Sequence, residues 1–474
     1  MKTVRTVVLV GALAACGSLA ADEMDFPRIL DAGISGTPKL SEPFLVRGTT
    51  EPIRTGKHGL AAPALWDWNG DGKRDLLVGE FETNSGEDFP MGPDGSTIRV
   101  YLNVGTDSEP RFTDEFEWAR DTGGTILEVP QWCCIGFTPQ FVDLDDDGHL
   151  DMITGQYHPG EVTWFRSTGD GFLPGVKLLQ EGDPTADGNP MFGYDGEPGD
   201  IGTFDYWVYS SASFGDLDDD GDQDLVVGGG SGLRMSENIG GPTSPSFGKR
   251  ELLLDVHGKP LKILERDDMA ETLPGASSPP ADGDGKSSPL VVDWNNDGTP
   301  DLLVTGSYRH PNSHAVTFFQ GVKTDAGLRF QPGVDLLPTG NGEKALPGSG
   351  QRVYVDDWNR DGVKDLIIGA SVATVNGGEF SDELSWEWED VTKVESAGKD
   401  PGRYPPRERP TRESMAEFLN LEALGEERLE ETVRMNQEYW DETIGRLHKE
   451  GKSHWLTLRH QGRVYVMLGE QRTE

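Results

Sequence analysis

The sequence is poor in cysteine: it has three cysteines among 474 residues, and two of them, Cys133 and Cys134, are adjacent. Neighbouring Cα atoms lie about 3.8 Å apart, which is below the usual disulfide range. The pair is therefore either a strained vicinal disulfide or two reduced side chains that pack as small hydrophobic residues. Neither alternative supplies a disulfide framework. The sequence also has no cluster of histidine and cysteine that would recruit zinc or copper.

Basic residues are scarce relative to acidic ones. The chain has 42 lysines and arginines against 82 aspartates and glutamates, which gives a formal net charge of −40. So acidic a surface repels nucleic acid and anionic lipid, and it attracts cations. Nucleic acid is therefore not expected among the partners.

Long apolar runs are missing as well. The run at residues 7–15 follows Lys2 and Arg5, and small residues surround Ala20. This is the layout of a secretory signal, and the run is too short to be a stable membrane anchor. Two processing routes are open. Cleavage after Ala20 would release a soluble protein, whereas "LAAC" resembles a bacterial lipobox that would make Cys16 a lipidated first residue. Both routes predict an exported protein (periplasmic, cell-surface or extracellular) without a transmembrane segment in the mature chain.

Glycine and proline are abundant, with 62 and 31 residues, which favours a turn-rich β architecture. Five segments match the pattern D-x-[DN]-x-D-G-x-x-D. They are "DWNGDGKRD" from residue 67, "DLDDDGHLD" from 143, "DLDDDGDQD" from 216, "DWNNDGTPD" from 293 and "DWNRDGVKD" from 357. Repeats at such a period indicate a solenoid, a propeller or an array.

Each acidic segment lies between two short β-type stretches. The preceding stretches are "APALW", "TPQFV", "SASFG", "SPLVV" and "QRVYV", and the following ones are "LLVG", "MITG", "LVVG", "LLVTG" and "LIIG". A third strand is predicted in "TIRVYLNVG", "EVTWFRSTG", "GLRMSENIG", "AVTFFQGVK" and "GRVYVMLGE", and a fourth in "PRFTDEF", "GFLPGVKLL" and "PSFGKRELLL". Four strands per repeat is the composition of a propeller blade.

The two ends of the repeat region predict how the ring closes. "PKLSEPFLV" near the N-terminus reads as a fourth strand with no third strand before it, and "RVYVMLGE" near the C-terminus reads as a third strand with no fourth after it. Pairing them would complete the last blade and remove two exposed edges. The fold class is therefore an all-β, five-bladed propeller, or one of six or seven blades if degenerate repeats lie in the long connections.

The acidic segments have the composition of calcium-binding loops. Side-chain oxygens stand at positions 1, 3, 5 and 9, the carbonyl of position 7 can add another, and glycine at position 6 permits a sharp turn. The predicted ligands are Asp67, Asn69, Asp71, Lys73 and Asp75; Asp143, Asp145, Asp147, His149 and Asp151; Asp216, Asp218, Asp220, Asp222 and Asp224; Asp293, Asn295, Asp297, Thr299 and Asp301; and Asp357, Asn359, Asp361, Val363 and Asp365.

Six or seven hard oxygens suit Ca²⁺ better than Mg²⁺, so about five structural calcium ions are predicted. A single such segment could be an ordinary turn, but five copies in register are typical of metal binding. An EF-hand is excluded, because strands flank the loops and position 12 is not a consistent glutamate.

These phrases resemble the FG-GAP/VCBS repeats, whose best-known members form the β-propeller of the integrin α-chain. The resemblance covers roughly residues 60–370 and the closing strand. It implies a calcium-braced propeller used for adhesion, for ligand recognition or for polysaccharide degradation. One departure is Thr305, which stands where the other copies have glycine.

A ligand site is predicted on the face opposite the calcium loops, where the long insertions collect. "GQYHPGEV" and "GSYRHPNSHAV" occupy equivalent places in blades two and four. Aromatic and imidazole groups there could stack on sugar rings or hold an anion, unless they only shape a turn. The candidates are Tyr157, His158, Tyr308, Arg309, His310 and His314.

The predicted organisation is a signal peptide (1–20), a propeller (27–376), an insertion (377–455) and closing strands (456–474). The insertion is charged, and apolar residues at helical spacing predict helices in it. The favoured function is an exported binding or adhesion module for polysaccharide or an extracellular protein. The alternatives are a secreted polysaccharide lyase or hydrolase and a structural subunit of an envelope assembly. The sequence contains no compelling catalytic constellation.

Overall fold

The computed structural model of the protein describes the predicted propeller region in segments. The described residues are 34–55, 60–80, 95–129, 136–155, 162–178, 211–228, 233–248, 250–261, 287–305, 316–337, 349–375, 379–380, 409, 411–412, 430, 433–434, 437–438, 441 and 458–472. The predicted signal peptide, Cys16 and the Cys133–Cys134 pair lie outside them, so both processing routes and the vicinal disulfide stay predictions. Within these segments, no helix has the length and the apolar character of a membrane span.

The described residues form 26 strands, numbered in chain order. They are β1 (Lys39–Leu40), β2 (Phe44–Leu45), β3 (Ala62–Trp66), β4 (Asp75–Gly79), β5 (Ser96–Tyr101), β6 (Glu117–Trp118), β7 (Glu128–Val129), β8 (Gln140–Val142), β9 (Asp151–Gly155), β10 (Val162–Phe165), β11 (Val176–Leu178), β12 (Ser211–Gly215), β13 (Asp224–Gly228), β14 (Arg234–Ser236), β15 (Glu251–Leu252), β16 (Ser288–Val292), β17 (Asp301–Thr305), β18 (Val316–Phe319), β19 (Gly321–Thr324), β20 (Gly327–Phe330), β21 (Val334–Leu337), β22 (Ser349–Asp356), β23 (Asp365–Val375), β24 (Glu379–Phe380), β25 (Leu458–Met467) and β26 (Gly469–Glu470).

Five antiparallel sheets, each built around four strands, correspond to the five repeats. Blade 1 has the order β3-β4-β5-β6, blade 2 β8-β9-β10-β11, blade 3 β12-β13-β14-β15, blade 4 β16-β17-β18-β21, and blade 5 β22-β23-β25-β2. The predicted five-bladed propeller is confirmed. The segments that the structure describes contain no further sheet of this type, as the six- or seven-bladed alternatives would have required.

Blade 5 is completed from both ends of the repeat region, as predicted. The outer strand β2 pairs with β25, with Phe44 opposite Val466 and Leu45 opposite Tyr465. A second pairing joins β1 to β26, where Lys39 lies opposite Glu470. These ladders remove the two edges that an open ring would expose.

The first strands of the blades meet at the centre of the ring. β8, β12, β16 and β22 line one cavity of about 160 Å³, whose walls include Phe141, Phe214, Val291 and Tyr354. Burial raises the pKa of the Tyr354 phenol. In the described residues, the centre of the ring is therefore a narrow cavity between four blades.

The second strands are buried along their whole length, which explains their continuous aliphatic runs. At the end of this strand, a Cβ on the glycine would overlap a carbonyl of the next blade. Gly79 lies against Phe137, Gly228 against Ser287 and Gly369 against Ala61. In blade 4, Thr305 occupies this place, and its Oγ1 donates a hydrogen bond to the Gln351 carbonyl at 2.8 Å. The departure at Thr305 therefore replaces a close approach with a hydrogen bond.

Two local features differ from the predicted strands. In blade 1, "PRFTDEF" forms a turn with an isolated bridge at Phe112, and the fourth strand is the short β6 that follows it. In blade 4, the predicted third strand ends at Phe319. The next residues form the hairpin β19–β20, which joins the end of blade 3 through a bridge between Asp255 and Phe330.

Few residues of the predicted insertion are described. The strand β23 runs to Val375 and pairs with β24. Helical backbone is present at Arg412, Glu430, Val433, Arg434, Gln437, Glu438 and Asp441. Arg434 and Glu438 form an ion pair at 2.9 Å, at the spacing of one helical turn. The extent of the predicted helices lies outside the described residues.

Candidate functional site

The five acidic segments join the first strand of each blade to the second. They are named loop 1 (67–75), loop 2 (143–151), loop 3 (216–224), loop 4 (293–301) and loop 5 (357–365), and positions 1 to 9 count along each. Because equivalent connections of a propeller lie at the same end of every blade, all five loops belong to one face of the ring.

All five loops share two left-handed backbone positions. The predicted glycine at position 6 has φ between 81° and 95° in every copy. Position 4 is left-handed as well, and four copies have a side chain there: Gly70, Asp146, Asp219, Asn296 and Arg360. Left-handed non-glycine residues are uncommon and carry strain of about 1 kcal/mol, least for Asp and Asn. The strained backbone at position 4 indicates that contacts of the surrounding residues hold the loop in this conformation.

One carboxylate organises each loop. The position-1 aspartate accepts hydrogen bonds from the backbone N–H groups of positions 5 and 6; in loop 1 these are 3.0 Å from Asp71 and 2.8 Å from Gly72 to Asp67. The position-5 carboxylate in turn accepts from the N–H of position 7, as Asp71 does from Lys73 at 3.0 Å. The same bonds recur in the other four loops. The side chains at positions 1 and 5 are thereby held on the inside of the turn.

The position-9 aspartates are buried at the base of the loops. Each is 0% exposed: Asp75, Asp151, Asp224, Asp301 and Asp365. One oxygen accepts the N–H of position 2, and the other accepts an N–H just after the third strand. In blade 5 these bonds are 2.7 Å from Trp358 and 2.6 Å from Gly469 to Asp365. Burial raises the pKa of all five carboxyl groups, to about 6 for Asp224, Asp301 and Asp365.

Loops 2 and 3 bring three carboxylates together. Oxygens of Asp143, Asp145 and Asp147 lie within 4.8 Å of one another, and so do those of Asp216, Asp218 and Asp220. These clusters could hold a metal ion. In loops 1, 4 and 5, asparagine stands at position 3 instead, and the Asn295 amide donates to Asp297 at 2.8 Å.

Two buried oxygens support the fit of a cation. Asp145 is 8% exposed and Asp222 is 4% exposed, and the Oδ1 atom of each has no hydrogen-bond partner. An unsatisfied buried carboxylate oxygen is costly, whereas a hard cation would satisfy it. The donor set contains only oxygen, which excludes a zinc site of the usual nitrogen and sulfur type. The individual ligand roles stay predictions.

In blades 2, 3 and 4, the residue that follows the third strand interacts with a carboxylate in the loop of its own blade. This residue is Leu102, Arg166, Glu237, Gln320 or Leu468 in blades 1 to 5. The Arg166 guanidinium lies 2.5 Å from Asp145 and 3.2 Å from Asp147. Glu237 stands at the same place in blade 3 and helps to raise the pKa of Asp218, after burial and Asp220. Loops 2 and 3 therefore have the same carboxylates at positions 1, 3, 5 and 9 but opposite charges above them.

Loops also contact neighbouring blades. The position-2 side chain packs on a phenylalanine from the third-to-fourth-strand turn of the next blade. The ring centroids are 5.7 Å apart for Trp358 and Phe112 and 5.9 Å apart for Trp68 and Phe172. Leu144 shares a hydrophobic cluster with Phe247, and Leu217 shares one with Phe330. Loops 1, 2, 3 and 5 are therefore each anchored to the adjacent blade by apolar packing.

Cationic links are present on both sides of blade 5. Arg74, at position 8 of loop 1, contacts Asp356 at 2.6 Å and the Asp357 carbonyl at 2.7 Å. Lys364, at position 8 of loop 5, donates to the Asp293 carbonyl and to Asn296. The other loops have Leu150, Gln223 and Pro300 at this position.

A cleft lies between blades 1 and 2 on the face of the loops. Its volume is about 470 Å³, and its walls include Trp66, Trp68 and Phe172 together with Asp67, Asn69 and Gly70 of loop 1. Arg120, Asp121 and Asp170 also line it. The turn that carries Asp121 is tied to blade 2, because the Thr122 N–H donates to the Phe172 carbonyl at 2.9 Å. The cleft is therefore lined by both aromatic rings and carboxylates, and it adjoins a loop with the composition of a metal site.

The sequence did not predict this cleft, because its walls come from segments about 50 residues apart in the chain. The predicted ligand residues Tyr157, His158, Tyr308, Arg309, His310 and His314 lie outside the described residues. Their convergence on the opposite face stays a prediction.

No model of a known protein family matches the sequence, and no curated protein sequence matches it either. Solved structures give a distant likeness. A lectin from Agrocybe aegerita that recognises non-reducing terminal N-acetylglucosamine matches with 18% identity and a TM-score of 0.32, over 66% of this chain and 62% of the lectin. A GH43_1 enzyme from Xanthomonas citri in complex with xylotriose matches with 15% identity and a TM-score of 0.34, over 67% and 84%.

The β-xylosidase RS223 matches with 10% identity and a TM-score of 0.34, over 73% of this chain and 90% of the xylosidase. The match to the lectin spans less than two thirds of that protein. At this level of identity and TM-score, these proteins say nothing about the ligand of this chain. The propeller is established by the strand pairing described above.

Proposed function

We propose that this protein is a calcium-binding β-propeller of the FG-GAP/VCBS type that acts outside the cytoplasm as a binding module, and that its ligand is a polysaccharide. The observation that carries the proposal is that loop 1 and the cleft share Asp67, Asn69 and Gly70. Metal in the loop would fix one wall of the cleft, so ligand binding would depend on calcium.

The case for calcium rests on repetition and on charge. Five loops hold oxygen atoms inside the same left-handed turn, and each has three or four carboxylates among positions 1, 3, 5 and 9. In a chain of net charge −40, these groups repel one another at close distance. Flexible sites of six or seven oxygens suit Ca²⁺, and part of its binding energy would then become folding energy. Calcium in each loop would bind the position-1, -3 and -5 side chains and the position-7 carbonyl.

The case for a polysaccharide rests on the lining of the cleft. The apolar faces of sugar rings stack on Trp side chains, and carboxylates accept hydrogen bonds from sugar hydroxyls. Trp66 and Trp68 are half-buried and line the cleft together with Asp121 and Asp170. The volume of about 470 Å³ falls in the range of small-molecule pockets, which suits a short stretch of a glycan chain.

The calcium proposal is tested by metal analysis and melting. Protein dialysed against calcium and then against metal-free buffer should retain about five Ca²⁺ per chain by elemental analysis. Chelation should lower Tm by roughly 10 °C or more, and calcium but not equimolar Mg²⁺ should restore it. A chain without bound calcium, or an unchanged Tm in chelator, would contradict the proposal.

The ligand proposal is tested by Trp fluorescence on a panel of soluble polysaccharides. Binding should change the emission of Trp66 and Trp68, and chelator should abolish it. Asp170→Asn removes an exposed cleft charge and should weaken binding about tenfold, the effect of one hydrogen bond to a charged group. Asp325→Asn, an equal change at the exposed tip of the β19–β20 turn, is the matched control. Equal affinities in the two variants would place the ligand elsewhere, and no binding to any polysaccharide would reject the ligand class.

The enzymatic alternative depends on His158, Arg309 and His310, which lie outside the described residues. It stays a prediction, and so does the structural-subunit alternative.

A further inference from the structure

Loops 2 and 3 share one ligand template and differ around it. Both have aspartate at positions 1, 3, 5 and 9, and both bring three carboxylates within 4.8 Å. Both also have leucine at position 2, so the packing beneath them is similar. Within the loops they differ at positions 7 and 8, and the residue after the third strand differs as well.

In loop 2 a guanidinium already lies against the cluster. Arg166 contacts Asp145 at 2.5 Å and Asp147 at 3.2 Å, which are the position-3 and position-5 side chains. Its side chain is 47% exposed, so it can leave, but a cation entering the loop must displace or repel it. Position 7 is His149, which adds no negative charge.

In loop 3 an additional buried carboxylate lies beside the cluster. Asp222 at position 7 is 4% exposed, its Oδ1 has no hydrogen-bond partner, and it interacts with Asp220, Asp218 and Asp216. The place of Arg166 is taken by Glu237, whose charge acts on Asp218. Lys323 does bind loop 3, at 2.8 Å, but its partner is the outward Asp219 at position 4, whose side chain is 72% exposed.

We infer that loop 3 is the tightest cation site of the five and that the Asp222 carboxylate is one of its ligands, whereas Arg166 makes loop 2 a weaker site. This inference rests on the proposed calcium binding and ranks the loops by their affinity for the ion. At position 7, Asp222 would then offer a charged side-chain oxygen in addition to its carbonyl. The position-7 residues of loops 1, 4 and 5, which are Lys73, Thr299 and Val363, have no negative charge to offer. Affinity in oxygen-ligand calcium sites rises with the number of charged ligands.

The test is a calcium titration of the full chain against a competing chelator dye, with bound ions counted by native mass spectrometry. Asp220→Asn, at position 5 of loop 3, identifies the step that belongs to this loop. Asp222→Asn is isosteric and should weaken that same step about tenfold or more while the other steps stay unchanged. Arg166→Gln should strengthen a weak step by a few-fold, because it removes the competing charge from loop 2.

Asp219→Asn is the matched control, because it removes the same charge from the same loop at a side chain that points outward. It should change the loop 3 step by less than about twofold. If Asp222→Asn behaves like this control, Asp222 is not a ligand and the inference is wrong, although calcium binding stands. If the binding step that Asp220→Asn weakens is not the tightest step of the wild-type protein, the ranking is wrong. If the wild-type chain binds no calcium, the proposed function fails and the inference with it.

In chelator, Asp222→Asn should melt at or slightly above the wild-type Tm, because it removes a repelling carboxylate from the metal-free loop. A Tm below that of the wild type in chelator would instead assign Asp222 a structural role and overturn its assignment as a ligand.

Discussion

The interfaces that flank blade 5 differ from the interface between blades 1 and 2. All three have apolar contacts between blades, but only the flanks of blade 5 have a cation at position 8 of the loop, Arg74 on one side and Lys364 on the other. Asp107 strengthens the interface on the Arg74 side of blade 5. Burial raises the pKa of its carboxyl group, but hydrogen bonds from Arg74 and Arg360 outweigh this effect and lower the pKa to about 2. Blade 2 has Leu150, 45% exposed, at the equivalent position.

The difference follows the connectivity of the chain. Blades 1 to 4 are each formed by one continuous segment, whereas blade 5 combines β2 with strands more than 300 residues later. Bringing distant segments together costs more chain entropy than closing a hairpin, although the cost grows slowly with length. The cationic links therefore lie where the ring has to be held by contacts between segments that the sequence separates.

The largest expected effect on this comparison comes from Arg74. Arg74→Met should lower the free energy of unfolding by about 3 kcal/mol, because Asp107 and Asp356 would lose their shared cation in a partly buried place. Leu150→Met, the equivalent change in blade 2, should cost less than about 0.5 kcal/mol. Urea denaturation in saturating calcium measures both. Equal losses would show that position 8 has no special role beside blade 5.

The pH dependence of the folding stability should be common to all blades, and its sign should reverse when calcium is bound. In metal-free protein, the folded state keeps protons on Asp224, Asp301 and Asp365 up to about pH 6, whereas the unfolded chain releases them near pH 4. The folded state then binds more protons, so stability falls as pH rises from about 5 to 7, by about 1 kcal/mol for each aspartate.

In calcium-loaded protein, protons compete with the metal for the same carboxylates, so stability should instead fall as pH drops from about 7 to 5. Melting curves at the two pH values, with calcium and with chelator, give the sign of each slope. Parallel slopes in the two series would contradict the assignment of these aspartates to metal loops.

The apolar contacts should be worth the same on both kinds of interface. Phe112→Leu beside blade 5 and Phe172→Leu between blades 1 and 2 both shorten a buried ring that packs on a Trp. Each should cost about 1–2 kcal/mol, and the two losses should agree within about 0.5 kcal/mol. A clearly larger loss at Phe112 would mean that blade 5 is held by packing as well as by cations.

The smallest expected effect concerns Thr305, at the other flank of blade 5. Thr305→Val keeps the shape of the side chain and removes the hydrogen bond to the Gln351 carbonyl, which should cost about 1 kcal/mol. Thr305→Ser keeps the hydroxyl and is the control. If the Val variant is as stable as the Ser variant, the bond contributes nothing to this interface.

Much of the propeller could be predicted from the sequence, because repetition made weak strand patterns reinforce one another. The segments "APALW", "SASFG" and "SPLVV" coincide with β3, β12 and β16, and the pairing of β2 with β25 was visible as two half-blades. The hairpin β19–β20 was missed because it has no counterpart in the other repeats, although Asp325 and Gly327 supply a turn signal.

The site was predicted less completely. The types of residue at positions 1 to 9 predicted the loops. The left-handed backbone at position 4 was not predicted, although Asp, Asn and Gly at that position indicate it. Arg360 carries no such signal. The roles of Arg166 and Glu237 could not be read from the sequence, since each stands about 15 residues after its loop and only strand pairing brings it over the carboxylates. The contact of Arg74 with Asp356 spans 282 residues and has no local pattern at all.

The pairing of β2 with β25 also sets the order of folding during synthesis. The segment around Phe44 leaves the ribosome, or a translocation channel, before its partner at Val466 has been made. Four blades can form in the meantime, but the nascent protein remains an open arc with an unpaired edge at each end, which is prone to aggregation. A product that stops short of residue 458 would stay in that state, because nothing else in the described chain pairs with β2.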